Sequence, residues 1–157
     1  ITNIDLQPAL IARLAELPNV ALVKESTLEV TRVRDIVRLA GDRLDVFGGV
    51  LGYESFLDGA VGWTAVGANV LPGAFQQIYR HTVEEPDLEA ARELYRYLVP
   101  LIELVGSTRY VSATKKMLES LGWPVGPPRL PRLASDGAET AWVERVMAEM
   151  ELTRRHP

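Results

Sequence analysis

Three short apolar runs separated by helical patterns constrain this chain more than any other feature. Val20 to Ser26 (VALVKES) is a continuous apolar run of the kind found in strands covered on both faces. Leu44 to Gly49 (LDVFGG) and Gly62 to Gly67 (GWTAVG) read as the next two strands. Before the first strand, Leu10, Ile11, Leu14 and Leu17 mark a helix from Pro8 to Leu17, with Asp5 upstream as its cap and Pro18-Asn19 as its break. Between the first two strands, Leu28, Val30, Val33, Ile36, Val37 and Leu39 predict a helix over Thr27 to Ala40, stopped by Gly41. A short helix over Leu51 to Asp58 leads to the third strand, and Pro72 opens another from its first turn. Each return to the same end of a sheet needs a crossover, so short loops between alternating strands and helices imply parallel pairing and an α/β fold. Three strands alone make a poor parallel sheet, because both outer strands then carry unpaired backbone and an apolar face.

The character changes after Gly67. Leu88, Ala91, Leu94, Tyr95, Leu98, Leu101, Ile102 and Val105 form a long amphipathic stripe, and Ser107 begins a second helix reaching about Leu121. This stripe packs helices on one another and leaves room for a subunit contact. Gly122 to Pro131 (GWPVGPPRLP) is a rigid connector, too broken for a helix, and Glu139 to Glu151 forms a last helix. No internal repeat of fixed period and no low-complexity tract is present.

Composition removes several function classes. With 157 residues and 47% hydrophobic content, the chain has material for a packed core. A net charge of -4 without a basic stripe argues against a nucleic-acid partner. The absence of cysteine removes disulfides, thiolate catalysis and cysteine-ligated zinc, and is compatible with a reducing compartment. No apolar run approaches the roughly 20 residues of a spanning helix, and no signal peptide opens the chain, so the expectation is a cytoplasmic protein without a membrane partner. His81 and His156 stand apart and in no metal-binding or triad pattern, which leaves both as surface residues and predicts no metal.

Lys24 ends the first strand run, whereas the two other lysines, Lys115 and Lys116, lie in a helical pattern. Burial against Leu22 and Val23 would disfavour its ammonium form and leave a neutral amine able to attack a carbonyl. From spacing alone, a lysine in a Lys-Glu pair at a strand end is more often a solvated charge. Gly48, Gly49 and Gly52 read as a tight strand-to-loop turn rather than a phosphate cradle, which would need a following Lys-Ser/Thr. Asn69 reads as a residue that fixes its own loop, Trp63 as packing, and the acidic run Glu84, Glu85, Asp87 and Glu89 as favourable charge at a helix start.

Four stretches in order carry a family resemblance: VALVKES and the helix after it, the strand ending at Gly48, GAVGWTAVGANVLP (Gly59 to Pro72), and KKMLESLGWPVGPPRLP (Lys115 to Pro131). From about Asp5 to Pro131 the chain resembles the dihydrodipicolinate synthase and N-acetylneuraminate lyase family. The resemblance implies the C-terminal half of a (β/α)8 barrel, strands six to eight, over residues 1–84, with residues 85–157 as a helical region packing on it. It implies a Schiff-base-forming, class I aldolase-type lyase or hydro-lyase acting on pyruvate or a related 2-keto acid, with Lys24 as the condensing amine and no cofactor. Gly48 matches the glycine at the end of strand seven, where small size admits the substrate, and Thr64 falls where many members line the keto-acid pocket with isoleucine or valine.

The departures matter as much. Gly49 and Val50 replace the acidic residues that often follow the strand-seven glycine. The carboxylate-holding threonine stretch and the strand-five tyrosine of the family have no counterpart, since Tyr53, Tyr79, Tyr95, Tyr97 and Tyr110 all fall in later loop or helical segments. The expected partners are therefore a 2-keto acid, a missing N-terminal barrel half, and further copies of the chain in a homodimer or homotetramer, as is common in the family. The alternative is a non-catalytic barrel half that completes a partner and supports assembly.

Overall fold

The computed structural model describes residues 4–153. Its regular elements run α1 (Pro8–Leu14), β1 (Leu22–Glu25), α2 (Thr31–Ala40), β2 (Asp45–Gly48), α3 (Gly52–Leu57), β3 (Gly62–Trp63), α4 (Pro72–Tyr79), α5 (Leu88–Gly106), α6 (Tyr110–Ser120) and α7 (Gly137–Glu149). The chain divides into two compact units. One takes the chain up to Ala65 together with Tyr79–Leu88, and the other takes Val66–Ile78 together with the chain from Glu89 onward.

In the first unit the three strands form a parallel sheet in the order β1, β2, β3. Lys24 pairs with Phe47 and Glu25 with Gly48, while Phe47 and Gly48 pair with Gly62 and Trp63. Successive side chains leave a strand on opposite faces, and paired residues share a face. Val23, Glu25, Val46, Gly48 and Trp63 therefore face one way, toward the layer of α2 and α3, and Val46 and Gly48 are buried there. Leu22, Lys24, Asp45, Phe47, Gly62 and Thr64 face the other way, where Leu22 is 60% exposed.

Several boundaries differ from the sequence expectation, each for a local reason. β1 is a strand, but it is open on one face and paired on one edge among the described residues, rather than covered on both sides. α2 starts at Thr31 and not Thr27, because the Glu25 carboxylate holds the Thr27 N–H at 2.5 Å and Leu28 turns the chain at φ +67°. Gly41 ends α2 as expected, at φ +57° with its N–H on the Val37 carbonyl. The third strand shrinks to Gly62–Trp63, and Val66–Asn69 winds into a 3-10 turn. Asp5 does not cap α1, whose N-terminal flank Gln7 makes no side-chain cap; its carboxylate pairs instead with Arg32 of α2.

The second unit is helical. Ile78, Leu98, Leu101, Leu104, Met117 and Val143 are fully buried, consistent with the amphipathic stripe read from α5. α6 begins at Tyr110, three residues later than expected, and packs against the 66–69 turn as well as α7. Asp136 caps α7 by accepting from the Glu139 N–H at 2.9 Å, and the connector 122–131 carries no helix or strand.

Candidate active site

The C-terminal end of β1 gathers the chemistry of the first unit. Lys24 is exposed on the open face of the sheet, and its amine makes no hydrogen bond or ion pair among the described residues. The expectation that Leu22 and Val23 bury it does not hold, since Leu22 is itself exposed and Val23 points to the opposite face. Phe47 stands beside it in register, with its ring across the Cα of Gly62. Thr64 continues this row from β3, tied to β2 by its N–H on the Gly48 carbonyl at 2.9 Å. Adjacent strands lie about 4.8 Å apart, so β1 and β3 are separated by roughly 10 Å, with Phe47 between them.

Gly48 belongs to the other face. A Cβ there would come within 2.8 Å of the Ser55 side chain, so its lack of a side chain is demanded by the approach of α3, independently of any ligand. Gly49 is required for a similar reason, because a side chain would collide with the Ser26 hydroxyl and the Glu25 carbonyl. The glycine run is thus a packing device between the ends of β1 and β2, in line with the tight-turn reading. Trp63 packs edge-on to Phe56 at 6.4 Å and donates from Nε1 to the Gly49 carbonyl at 2.7 Å.

Behind Lys24 lies a buried charge cluster that sequence reasoning missed. Arg32 has a side chain only 4% exposed. Its Nη1 reaches Glu29 Oε2 at 3.0 Å, Nη2 donates to the Leu6 carbonyl at 2.8 Å, and the Asp5 carboxylate pairs with both terminal nitrogens. Its Nε sits 3.4 Å from Glu25 Oε2. Burial disfavours the cation, but hydrogen bonds to Glu29 and Asp5 and the charges of Asp5 and Glu25 outweigh it and raise the guanidinium above its ordinary value. The available signal was spacing: Arg32 lies four residues before Ile36, on the buried face of α2. An open cleft of about 690 Å³ is lined by Lys24, Glu25, Ser26, Thr27, Asp5 and Arg32.

The remaining candidates fall elsewhere. Asn69 donates to the Val66 carbonyl at 2.9 Å and so fixes its own loop. Lys115 donates to the Val125 carbonyl at 2.9 Å, and Lys116 pairs with Glu119 at 3.1 Å, both structural roles. His81 is half-buried rather than on the surface, and His156 lies outside the described residues. Glu85 turns back to Arg80 at 2.6 Å instead of facing the start of α5. Among the described residues no group of three or more His, Asp or Glu is placed to hold a metal ion, and no helix is long and apolar enough to cross a membrane.

The sequence pattern of the dihydrodipicolinate synthetase family matches residues 1–149. The chain belongs to the dihydrodipicolinate synthetase family. It is 31% identical to a 4-hydroxy-tetrahydrodipicolinate synthase of Archaeoglobus fulgidus, a match covering 96% of this chain and 53% of that protein. A synthase of the same name from Halorhodospira halophila is 32% identical, with 96% and 51% covered. The crystal structure of dihydrodipicolinate synthase from Aquifex aeolicus is similar at a TM-score of 0.85 and 25% identity, over 97% of this chain and 53% of that one. The chain spans about half the length of the curated relatives it matches. The α/β arrangement described above is thus shared with a dihydrodipicolinate synthase over that half, and family membership agrees with the resemblance carried by VALVKES and the three later stretches.

Proposed function

We propose that this chain supplies strands six to eight of a (β/α)8 barrel, within residues 1–84, with residues 85–157 as an appended helical region, and that Lys24 is the amine of a Schiff-base lyase acting on pyruvate or a related 2-keto acid. The observation that carries the reading is the placement of Lys24. In a member of this family, its amine, without a partner among the described residues, stands at the C-terminal end of a parallel strand, on the sheet face opposite the helices. In such barrels that end of the strands is where catalytic groups collect.

In its uncharged form the amine attacks the keto carbon to give a carbinolamine, which takes up a proton and loses water to leave an iminium. A proton then leaves the adjacent carbon, its electron pair entering the iminium to give an enamine, which adds to a second carbonyl compound; hydrolysis returns the amine. The iminium is itself the electron sink, so the reaction needs no bound cofactor. Phe47 and Thr64 line the same face and are proposed to border the keto acid, with the Thr64 hydroxyl as a specificity feature. Gly48 contributes through its backbone at the end of its strand.

The proton relay and the group that holds the substrate carboxylate must come from other strands. Tyr53, Tyr79, Tyr95, Tyr97 and Tyr110 all sit on helices α3 to α6. The edge of β1 that is unpaired among the described residues, with Leu22 exposed beside it, suits a further barrel segment there. That same edge favours the second reading, a non-catalytic barrel half that completes a partner. Assembly as a homodimer or homotetramer is proposed on family grounds.

Borohydride reduction of the protein with pyruvate, followed by peptide mass mapping, separates the two. A reduced pyruvyl adduct on Lys24, absent in Lys24→Ala, is expected. No adduct in the folded, full-length protein across several 2-keto acids leaves the non-catalytic reading.

A further inference from the structure

Glu25 and Arg32 are the buried charged residues of the first unit among the described ones, and Glu25 directly follows the proposed nucleophile. Burying such a pair is an inefficient route to stability, because desolvation of the two ions offsets most of their attraction and apolar side chains of similar volume do as well or better. The placement of this pair is instead what an orientation role requires.

Neighbouring residues of a strand point to opposite faces, so a group that holds Glu25 on the helix side holds Lys24 on the open side. Glu25 is held from three directions. Its Oε1 accepts from the Thr27 N–H at 2.5 Å, which fixes the turn after the strand. Its Oε2 lies 3.4 Å from Arg32 Nε, and Arg32 is anchored in turn by Asp5, Glu29 and the Leu6 carbonyl. Its backbone carbonyl is packed against Gly49, where no side chain fits.

We infer that Glu25 and Arg32 are positioning residues for Lys24: the Arg32 guanidinium anchors the Glu25 carboxylate, and Glu25 sets the backbone direction from which the Lys24 amine reaches the open face. The inference rests on the proposed role of Lys24. Neither residue touches the keto acid, so their loss slows adduct formation without weakening pyruvate binding. Small misplacements of a reacting group cost large factors in rate, about tenfold here for a loosened strand end.

The test is the rate of borohydride-trapped pyruvate adduct on the full-length protein, measured against pyruvate concentration. In Glu25→Ala the limiting rate falls about tenfold or more, while the half-saturating pyruvate concentration stays within about twofold of wild type. Glu25→Gln keeps an acceptor for Thr27 and loses the charge facing Arg32. It is expected to fall between the two, at least about threefold slow, and to decide the matter if Glu25→Ala does not fold. A wild-type adduct with an unchanged limiting rate in the folded variants overturns the positioning role alone. A change confined to half-saturation overturns it too, since it places Glu25 in binding. No adduct in wild type removes the Lys24 function, and this inference with it.

Discussion

Arg32 and Arg109 both gather carboxylates at the start of a helix, and the two clusters differ in what surrounds them. The Arg32 side chain is 4% exposed and faces Asp5, Glu25 and Glu29 in the first unit. The Arg109 side chain is 39% exposed and pairs with Asp136 and Glu139 in the second. Around Arg109 the acids have other partners: Asp136 accepts from the Glu139 N–H, and Glu139 Oε1 accepts from the Ser112 hydroxyl at 2.8 Å. Around Arg32 the buried partner Glu25 has one backbone N–H and the guanidinium. Glu25 and Glu139 are both buried and each has one further donor, so the contrast lies in the cation: Arg32 is desolvated, whereas Arg109 is half-exposed and shared with the exposed Asp136.

The largest expected effect comes from removing the desolvated cation. Arg32→Met leaves Glu25 buried without its counter-charge and destabilises the protein by about 3–5 kcal/mol, read from the denaturant midpoint at constant slope. A loss below about 1 kcal/mol would erase the distinction between the clusters. Arg109→Met, in the same measurement, costs about 1–2 kcal/mol, because Glu139 keeps Ser112 and the ion pair with Asp136 is screened by water.

The smallest effect is a pH dependence. The Glu139 N–H, and then the Arg109 guanidinium, hold the Asp136 carboxyl below its ordinary value. A carboxylate depressed on folding contributes stability above its unfolded pKa and loses it as pH falls through the folded one, so the contribution disappears below about pH 4. Melting temperatures of wild type and Asp136→Asn, compared from neutral pH downward, are expected to converge in that range. Arg32 behaves oppositely: its value is raised, so what the guanidinium contributes is lost only as pH rises through it, and acid leaves that cation unchanged. A gap between wild type and Asp136→Asn that is constant with pH would reduce the capping network to geometry alone.

Much of the fold was legible in the chain. Alternating apolar runs and helical spacings predicted β1, β2 and the helices around them, with Gly41 as a stop and Pro72 as a start, because these signals are local to a few residues. Two of the differences share one cause. The start of α2 at Thr31 follows from the Glu25 carboxylate holding the Thr27 N–H, and the loss of the Asp5 cap from Arg32 holding the Asp5 carboxylate, and such contacts leave no periodicity. Of the candidate site, Lys24 and Thr64 were legible from motif position and come to one face, while Gly48 lies on the other. Phe47 and Arg32 were not picked out, since an aromatic in a strand and an arginine in a helix are unremarkable until register and burial are known.

The sequence by itself determined the α/β class, the parallel pairing, membership of the dihydrodipicolinate synthetase family and the single lysine at a strand end, because each is written in spacing and residue order. Only the tertiary structure decided which sheet face is open, that Lys24 stands exposed on it, and that Arg32 is buried against a carboxylate 27 residues away. The physical reason is that burial and ion pairing depend on which distant segments meet, and hydrophobic period along the chain encodes only the face each segment turns inward.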